Sequence, residues 1–381
     1  MAKIMMLLTK TPWRDFRTYD IQGPALTEIG HEFIYASGAP EPKDERNFTW
    51  VLLTPEQVSI ARKTGGLNLI SMIKKNKPDI VQLCSLELLP LGIYLKLRKI
   101  TKVVYDCRED MASALYDRKA NFPMFIRKLI FRGVKALENF ADRRFDGVIT
   151  ADPGVYEFYP QTPDERKMVC YNTALLEQFP RNYNHPAERE YDCVILGSMT
   201  SHRCGTHNLM DAIGLLKQKG IIIKLLMIGE PQNDMVERIN KIVDKYQLKD
   251  QIHITGIIPH CDVPAILAKA RIGIVPLHDY QKFHRNIACK AFEYMACGMP
   301  TIASELPPQR LFLDENIARF FTPNDAESLA NRIEELYNDY PRIEKMGELA
   351  RQKMEEQWNG DIEQEKLKKF YSNLIEMPAR S

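Results

Sequence analysis

Short apolar runs alternate with longer amphipathic stretches along this chain. The runs fall at residues 4–8, 32–36, 80–83, 102–105 and 147–150, and again at 193–196, 224–228, 252–255, 272–275 and 301–303. Runs this short, many of them separated by helix-length segments, read as buried parallel strands in βαβ units. Two series predict two α/β layers. After Pro323 the period becomes helical over 326–337, 340–357 and 362–375, with Asn359, Gly360 and Asp361 marking the last break. The stretch 179–190, polar and punctuated by Pro180 and Pro186, is the expected interdomain linker. No repeat of fixed period is present.

With 381 residues and 45% hydrophobic positions the chain has a globular composition, and disorder is excluded. Its 52 basic and 50 acidic side chains leave a formal charge of +2, and neither charge nor motif points to nucleic acid. The charge is uneven, however: residues 71–145 hold 16 Lys and Arg against 8 Asp and Glu. There Arg127, Lys128, Arg132 and Lys135 interleave with Phe125, Ile126, Leu129 and Phe131. Such a helix lies on an anionic membrane, or is an ordinary solvated helix whose long basic side chains cover apolar surface. The start is too short for a signal peptide, and the apolar stretch 80–97 is interrupted by Glu87, Pro90 and Lys96, so it is no spanning helix. A cytoplasmic protein, soluble or peripheral at the inner face of the membrane, is expected. Eight cysteines without a C-x-x-C pair fit a reducing compartment, and Cys289 and Cys297 near His284 read as small thiols in a helix rather than a metal site.

The most informative segment is 288–304, ACKAFEYMACGMPTIAS, a helix stopped by Gly298, a Met299-Pro300 turn and a strand. It follows a loop, 277–286, that comes just after a strand of the second series. Ligands of open parallel sheets bind beyond the carboxyl ends of strands, and helix starts attract phosphate. Arg285 and Lys290 would strengthen such an anion site. Glu293, one turn on, offers two acceptor oxygens to the vicinal hydroxyls of a ribose. A lone Glu on a helix would merely cap or pair, but phosphates at the helix start and a ribose on its first turns describe a nucleotide. Gly197 and Ser198, after the strand 193–196, let backbone approach those phosphates. No G-x-G-x-x-G follows any strand, which disfavours a nicotinamide oxidoreductase.

Residues 290–304 resemble the "K-x-x-E-Y-M-A-x-G-x-P-V-I-A-S" stretch of glycosyltransferase family 4. Gly30-His31-Glu32 resembles the family's step into its second strand. Residues 104–110, VYDCRED, resemble the "Y-D-V-H-E-D" loop of some bacterial members, and 145–151, FDGVITA, their "F-D-x-V-I-x-A". Gly229-Glu230 and Gly256-Ile257-Ile258-Pro259 sit in register, and Trp358 with Glu363 and Glu365 resembles the tail before the last helix. The resemblance covers nearly the whole chain and is strongest from Gly197 onward.

What it implies is a GT-B fold: two Rossmann-like, doubly wound domains facing a central cleft, with the final helix returning to the first. The expected divisions are 1–180 for an acceptor-binding domain, 181–357 for a nucleotide-sugar-binding domain and 358–381 for the returning helix. The implied activity is retaining transfer of a sugar from a nucleotide-diphosphate sugar to a glycan or lipid-linked acceptor, in polysaccharide or glycoconjugate synthesis, with no obligatory metal or cofactor. Cations offset charge developing on the leaving diphosphate. Lys290 and Arg203 are the expected catalytic residues. Gly197, Ser198, Arg203, Glu230, Arg285, Asn286, Lys290 and Glu293 are expected around the donor. Asp15, Arg17, Asp106, Arg108 and Glu109 are expected acceptor or sugar contacts, although loop carboxylates also cap helices. Two departures stand out: Arg285 replaces the first of the family's paired glutamates, and Arg108 stands where many relatives carry His, so no base is expected there. A degenerate scaffold or nucleotide-sugar sensor, and a nucleotide-sugar epimerase of the same shape, are the alternatives.

Overall fold

The computed structural model describes residues 1–9, 15–38, 46–119, 121–181, 184–200, 204–232 and 234–380. They form two units, Met1–Asn172 with Asp361–Ser381, and Thr173–Gly360. The first holds a seven-stranded sheet of β1 (Lys3–Leu8), β2 (Glu32–Ser37), β3 (Thr49–Leu52), β4 (Ile80–Leu83), β5 (Lys102–Cys107), β6 (Gly147–Thr150) and β7 (Lys167–Val169), in the order β3-β2-β1-β4-β5-β6-β7. The second holds six strands, β8 (Tyr191–Leu196), β9 (Leu225–Ile228), β10 (Ile252–Ile254), β11 (Ala270–Val275), β12 (Thr301–Ser304) and β13 (Ala318–Phe321), ordered β10-β9-β8-β11-β12-β13. Every pairing is parallel. Both orders are Rossmann-like and doubly wound, reversing direction between β1 and β4 and between β8 and β11.

Three strands, β3, β7 and β13, have no counterpart in the apolar pattern, and all three are sheet edges. An edge strand is covered on fewer sides and needs no continuous apolar run. β3 has no buried residue, its two ends being exposed and its middle pair half-buried, and Arg319 in β13 turns outward to Glu335 at 2.7 Å.

The first boundary falls between Asn172 and Thr173, upstream of Pro180, because the polar stretch that follows is tied into the second unit. Arg351 Nη1 donates to the Phe179 carbonyl at 2.5 Å, and Arg189 Nη1 to that of Ala270 at 3.2 Å. The return falls after Gly360 rather than at 357, since the Thr173 hydroxyl donates to the Trp358 carbonyl and Gly360 N to that of Ala174 at 3.0 Å.

The last helix, Gly360–Glu376, packs on the first sheet. A Cβ at Gly147, where β6 begins, would lie 3.0 Å from the Phe370 ring, so glycine permits the close approach. Lys102 Nζ donates to the carbonyls of Leu374 and Ile375 at 2.9 Å and of Met377 at 2.7 Å, placing a cation at the negative end of that helix. The buried Tyr371 hydroxyl donates to the Gln82 side chain inside the sheet. Among the described residues no helix is long and apolar enough to cross a membrane.

Candidate active site

In the second unit the helix Cys289–Ala296 is pinned beside the β8–β11 crevice by Tyr294. The ring packs over Gly273 of β11, where a Cβ would come within 2.2 Å of it. The phenol oxygen accepts from Leu196 N at 3.0 Å and donates to the Ile274 carbonyl at 3.3 Å. Burial pushes this phenol well above its ordinary pKa, so it stays protonated and keeps both bonds. Gly298, at φ 64, ends the helix in the left-handed region.

This anchoring sets Lys290 and Glu293. Gly197 ends β8 at φ 104, and a Cβ built there would sit 4.0 Å from Lys290 Nζ, so strand-end backbone and ammonium share one site. Gly229, at φ 117, abuts it: a Cβ there would meet the Gly197 carbonyl oxygen at 2.6 Å, a contact only glycine avoids. Ser198 and Glu230 are exposed just past these turns. On the loop after β11, Arg285 is half-buried and Asn286 buried. Glu293 is half-buried and Oε1 meets His260 Nε2 at 2.8 Å, while the His260 ring meets Phe179 edge-on at 6.2 Å. His260 lies in no motif, and only its position in the turn after β10 could have signalled it. Arg203 lies outside the described residues.

In the first unit Asp15, Arg17, Asp106 and Arg108 converge near the carboxyl end of β5. Arg17 Nη2 meets Asp106 Oδ1 at 2.8 Å and its Nε both carboxylate oxygens at 3.1 Å, with side chains 3% and 0% exposed. Gln22 and Gln82, which carried no signal in the sequence, donate to the same carboxylate at 3.3 and 3.4 Å. Arg108 Nη1 meets Asp15 Oδ2 at 2.5 Å and its Nη2 the Thr18 hydroxyl at 3.1 Å. Asp15 also caps the helical segment Phe16–Gln22, accepting from Thr18 N at 2.9 Å. Burial pushes Asp15 up, but the charge and hydrogen bond of Arg108, with Thr18, outweigh it and hold the carboxyl below its usual value. Burial likewise works against the charge on Arg17 and Arg108, and Asp106 and Asp15 overrule it. Arg17 and Asp106 therefore lie beneath the surface, satisfied by each other, and Asp15 is taken up by a cap and an ion pair. Arg108, 21% exposed, and half-buried Glu109 reach solvent.

A cavity of about 430 Å³ opens at the carboxyl ends of β1 and β2, lined by Thr9, Gly38, Val58, Ser59, Arg62 and Lys63, with Pro55 at the start of the adjoining helix. Arg62 Nε is held there by the Thr9 carbonyl at 3.0 Å.

Residues 178–353, within the second unit, match the sequence profile of Glycosyl transferases group 1. The chain is 25% identical over 158 residues to a putative colanic acid biosynthesis glycosyltransferase, WcaL, of Salmonella typhimurium. That alignment covers 41% of this chain and 38% of the relative, so the chain spans well under half the length of the curated protein it matches. Among solved structures, sucrose-phosphate synthase of Thermosynechococcus elongatus superposes with a TM-score of 0.75 at 16% identity, covering 98% of this chain and 99% of that one. HepE of Anabaena, in complex with UDP and glucose, gives 0.75 at 13% identity, covering 98% and 100%. The two parallel-sheet, Rossmann-like units are those of the GT-B fold.

Proposed function

We propose that this chain is a retaining glycosyltransferase, moving a sugar from a nucleotide-diphosphate sugar to a glycan or lipid-linked acceptor in cell-surface polysaccharide synthesis. The observation that carries this reading is the approach of Gly197 and Lys290 at the point where the second sheet reverses strand order, with Glu293 one turn further along the Lys290 helix, which supplies backbone, cation and carboxylate for diphosphate and ribose. Lys290, with Arg203, offsets the charge that grows on the leaving diphosphate as the glycosidic bond breaks, an interaction stronger in the transition state than before it. Ser198, Glu230, Arg285 and Asn286 surround phosphates and sugar, and no metal is required. The leaving phosphate oxygen takes the acceptor's proton, so no protein base is needed. Arg108, held charged by Asp15, binds an anionic part of the acceptor with Glu109 beside it.

A membrane-borne acceptor is supported by the helix Met124–Arg144. Its exposed positions include Met124, Phe125, Leu129, Lys128, Arg132, Arg143 and Arg144, while its carboxylates, Glu138 and Asp142, are buried. An acid-free face mixing cations with Phe125, 71% exposed, and Leu129, 69% exposed, suits an anionic inner leaflet.

The test is thermal stabilisation by UDP, GDP, ADP and CMP and their sugar conjugates. One nucleotide family should stabilise the protein, and Glu293→Ala should remove the effect. Undiminished stabilisation in both Glu293→Ala and Lys290→Ala would reject the site. The second reading, a scaffold or sensor, is favoured by Arg108 being locked to Asp15, and tight donor binding without turnover on acceptor or water would select it. Sugar isomerisation without an acceptor would instead select the epimerase.

A further inference from the structure

A second cavity in the first unit, of about 410 Å³, lies at the amino end of β5, lined by Lys96, Lys99, Lys102, Arg144 and Arg380 with Leu97 and Phe140 as an apolar wall. The six residues of β5, at about 3.3 Å each, put roughly 20 Å between this pocket and the edge that carries Arg108. A molecule bound here is therefore not the one presented at the strands' carboxyl ends.

Three of the five cations are occupied by the fold. Lys96 Nζ meets both Asp146 oxygens and the Arg380 carbonyl at 2.9 Å, Lys102 caps the last helix, and Arg380 Nη1 donates to the carbonyls of Asp142 and Phe145 at 2.9 Å. Lys99 and Arg144 are exposed, and neither side chain makes a hydrogen bond or ion pair among the described residues. The nearby carboxylates are already engaged: Asp146 is buried and also takes Val103 N and Arg380 N at 2.7 Å, and Asp142 takes Thr162 N at 2.7 Å. Burial is the main cause that holds Lys102 below its ordinary pKa, with Arg166 and Lys96 adding to it against Asp146 and Asp79, and burial with Arg166 lowers Arg380 against Asp142 and Asp146.

Two cations without a partner among the described residues, lining a cavity with an apolar wall whose Leu97 is 65% exposed, match an anion carried on an apolar body. Phe140 and Arg144 stand at one end of the acid-free helix face that carries Phe125 and Leu129. We propose that this pocket binds the phosphate headgroup of an anionic lipid, with Lys99 and Arg144 taking phosphate oxygens and Leu97 and Phe140 covering the carbons next to it. The lipid source rests on the membrane reading above; the phosphate chemistry rests on the pocket alone. Bound so, a lipid fixes the first unit to the bilayer at one defined point.

The test measures binding of the full chain to phosphatidylcholine vesicles doped with phosphatidic acid. Lys99 has φ 51, so Lys99→Gly preserves its turn, and Lys99→Gly/Arg144→Gln removes both charges. This pair should weaken binding about thirtyfold, from about a fivefold effect per surface charge. A short-chain phosphatidic acid below its micellar concentration should raise the melting temperature of the wild type and not of the variant. Vesicle binding that survives the pocket pair but falls in Lys128→Gln/Arg132→Gln keeps the membrane reading and overturns the pocket. Equal losses in both pairs, without stabilisation by the short-chain lipid, mean diffuse charge and overturn it too. Stabilisation by inorganic phosphate equal to that by the short-chain lipid would make this a free-anion site and reject the lipid.

Discussion

Near the reversal point of the first sheet, two arginines, two carboxylates and two glutamines pair with one another, all but the partly exposed Arg108 below the surface. At that of the second, Gly197, with Gly229 packed against it, brings bare backbone near Lys290, and Glu293 meets a half-exposed histidine. The strand order is the same over six strands, so topology creates the crevice and side chains decide its use. Where every charge has a partner within the fold, the network adds rigidity. Where backbone is left accessible beside a cation, there is capacity for a ligand.

Replacing Arg17 by Met should sharpen that contrast most, because it removes the cation that bonds the buried Asp106 through Nε and Nη2 and leaves it only the Arg108 guanidinium at 3.5 Å. A loss of about 3–5 kcal/mol is expected in urea unfolding, with nucleotide stabilisation of the remaining folded protein retained. An unchanged midpoint would mean the pair is not what braces this edge. Glu293→Ala should do the reverse, weakening nucleotide binding by roughly ten- to a hundredfold through lost charged hydrogen bonds of about 1.5–3 kcal/mol, with the unfolding midpoint unmoved. If the midpoint moves and affinity does not, Glu293 belongs with the structural charges. Gly197→Ala forces a side chain to φ 104, a strain of about 1–2 kcal/mol placed at the phosphate-facing turn, and calorimetric titration should show weaker nucleotide binding than in the wild type.

The smallest expected effect concerns pH. Asp15 has a folded pKa below its unfolded value of about 3.9, so its contribution to stability is complete above that value and fades as pH falls through the lower, folded one. Asp15→Asn should therefore flatten the acid limb of the stability profile while leaving nucleotide affinity at neutral pH unchanged. A steeper limb in the variant would show the sign to be wrong.

Interior strands were legible because burial on both faces demands unbroken apolar runs, and the 288–304 segment because helix, stop and strand are all local signals. The edges β3 and β7 were not, since neither has a buried residue to demand an apolar run, whereas the edge β10 was read although two of its three residues are exposed, and β13, buried except at Arg319, was missed because that arginine breaks its run. Gln82 interrupts the apolar run of β4, and nothing local explains it: its partner Tyr371 lies 289 positions away. Asp15 and Asp106 illustrate the same limit. Composition places a carboxylate in a loop or strand end, but whether it faces a ligand or an arginine is decided by residues far along the chain.

The returning helix also orders events during synthesis. At roughly 5–20 residues per second, a ribosome that has just made Gly147 needs about 11–45 s to supply Phe370, so for that interval the first sheet waits with its Gly147 face uncovered. The second unit is continuous in the chain and can be finished in that time. The part of the protein made first is thus completed last, and its uncovered apolar face is where a nascent-chain chaperone would be needed.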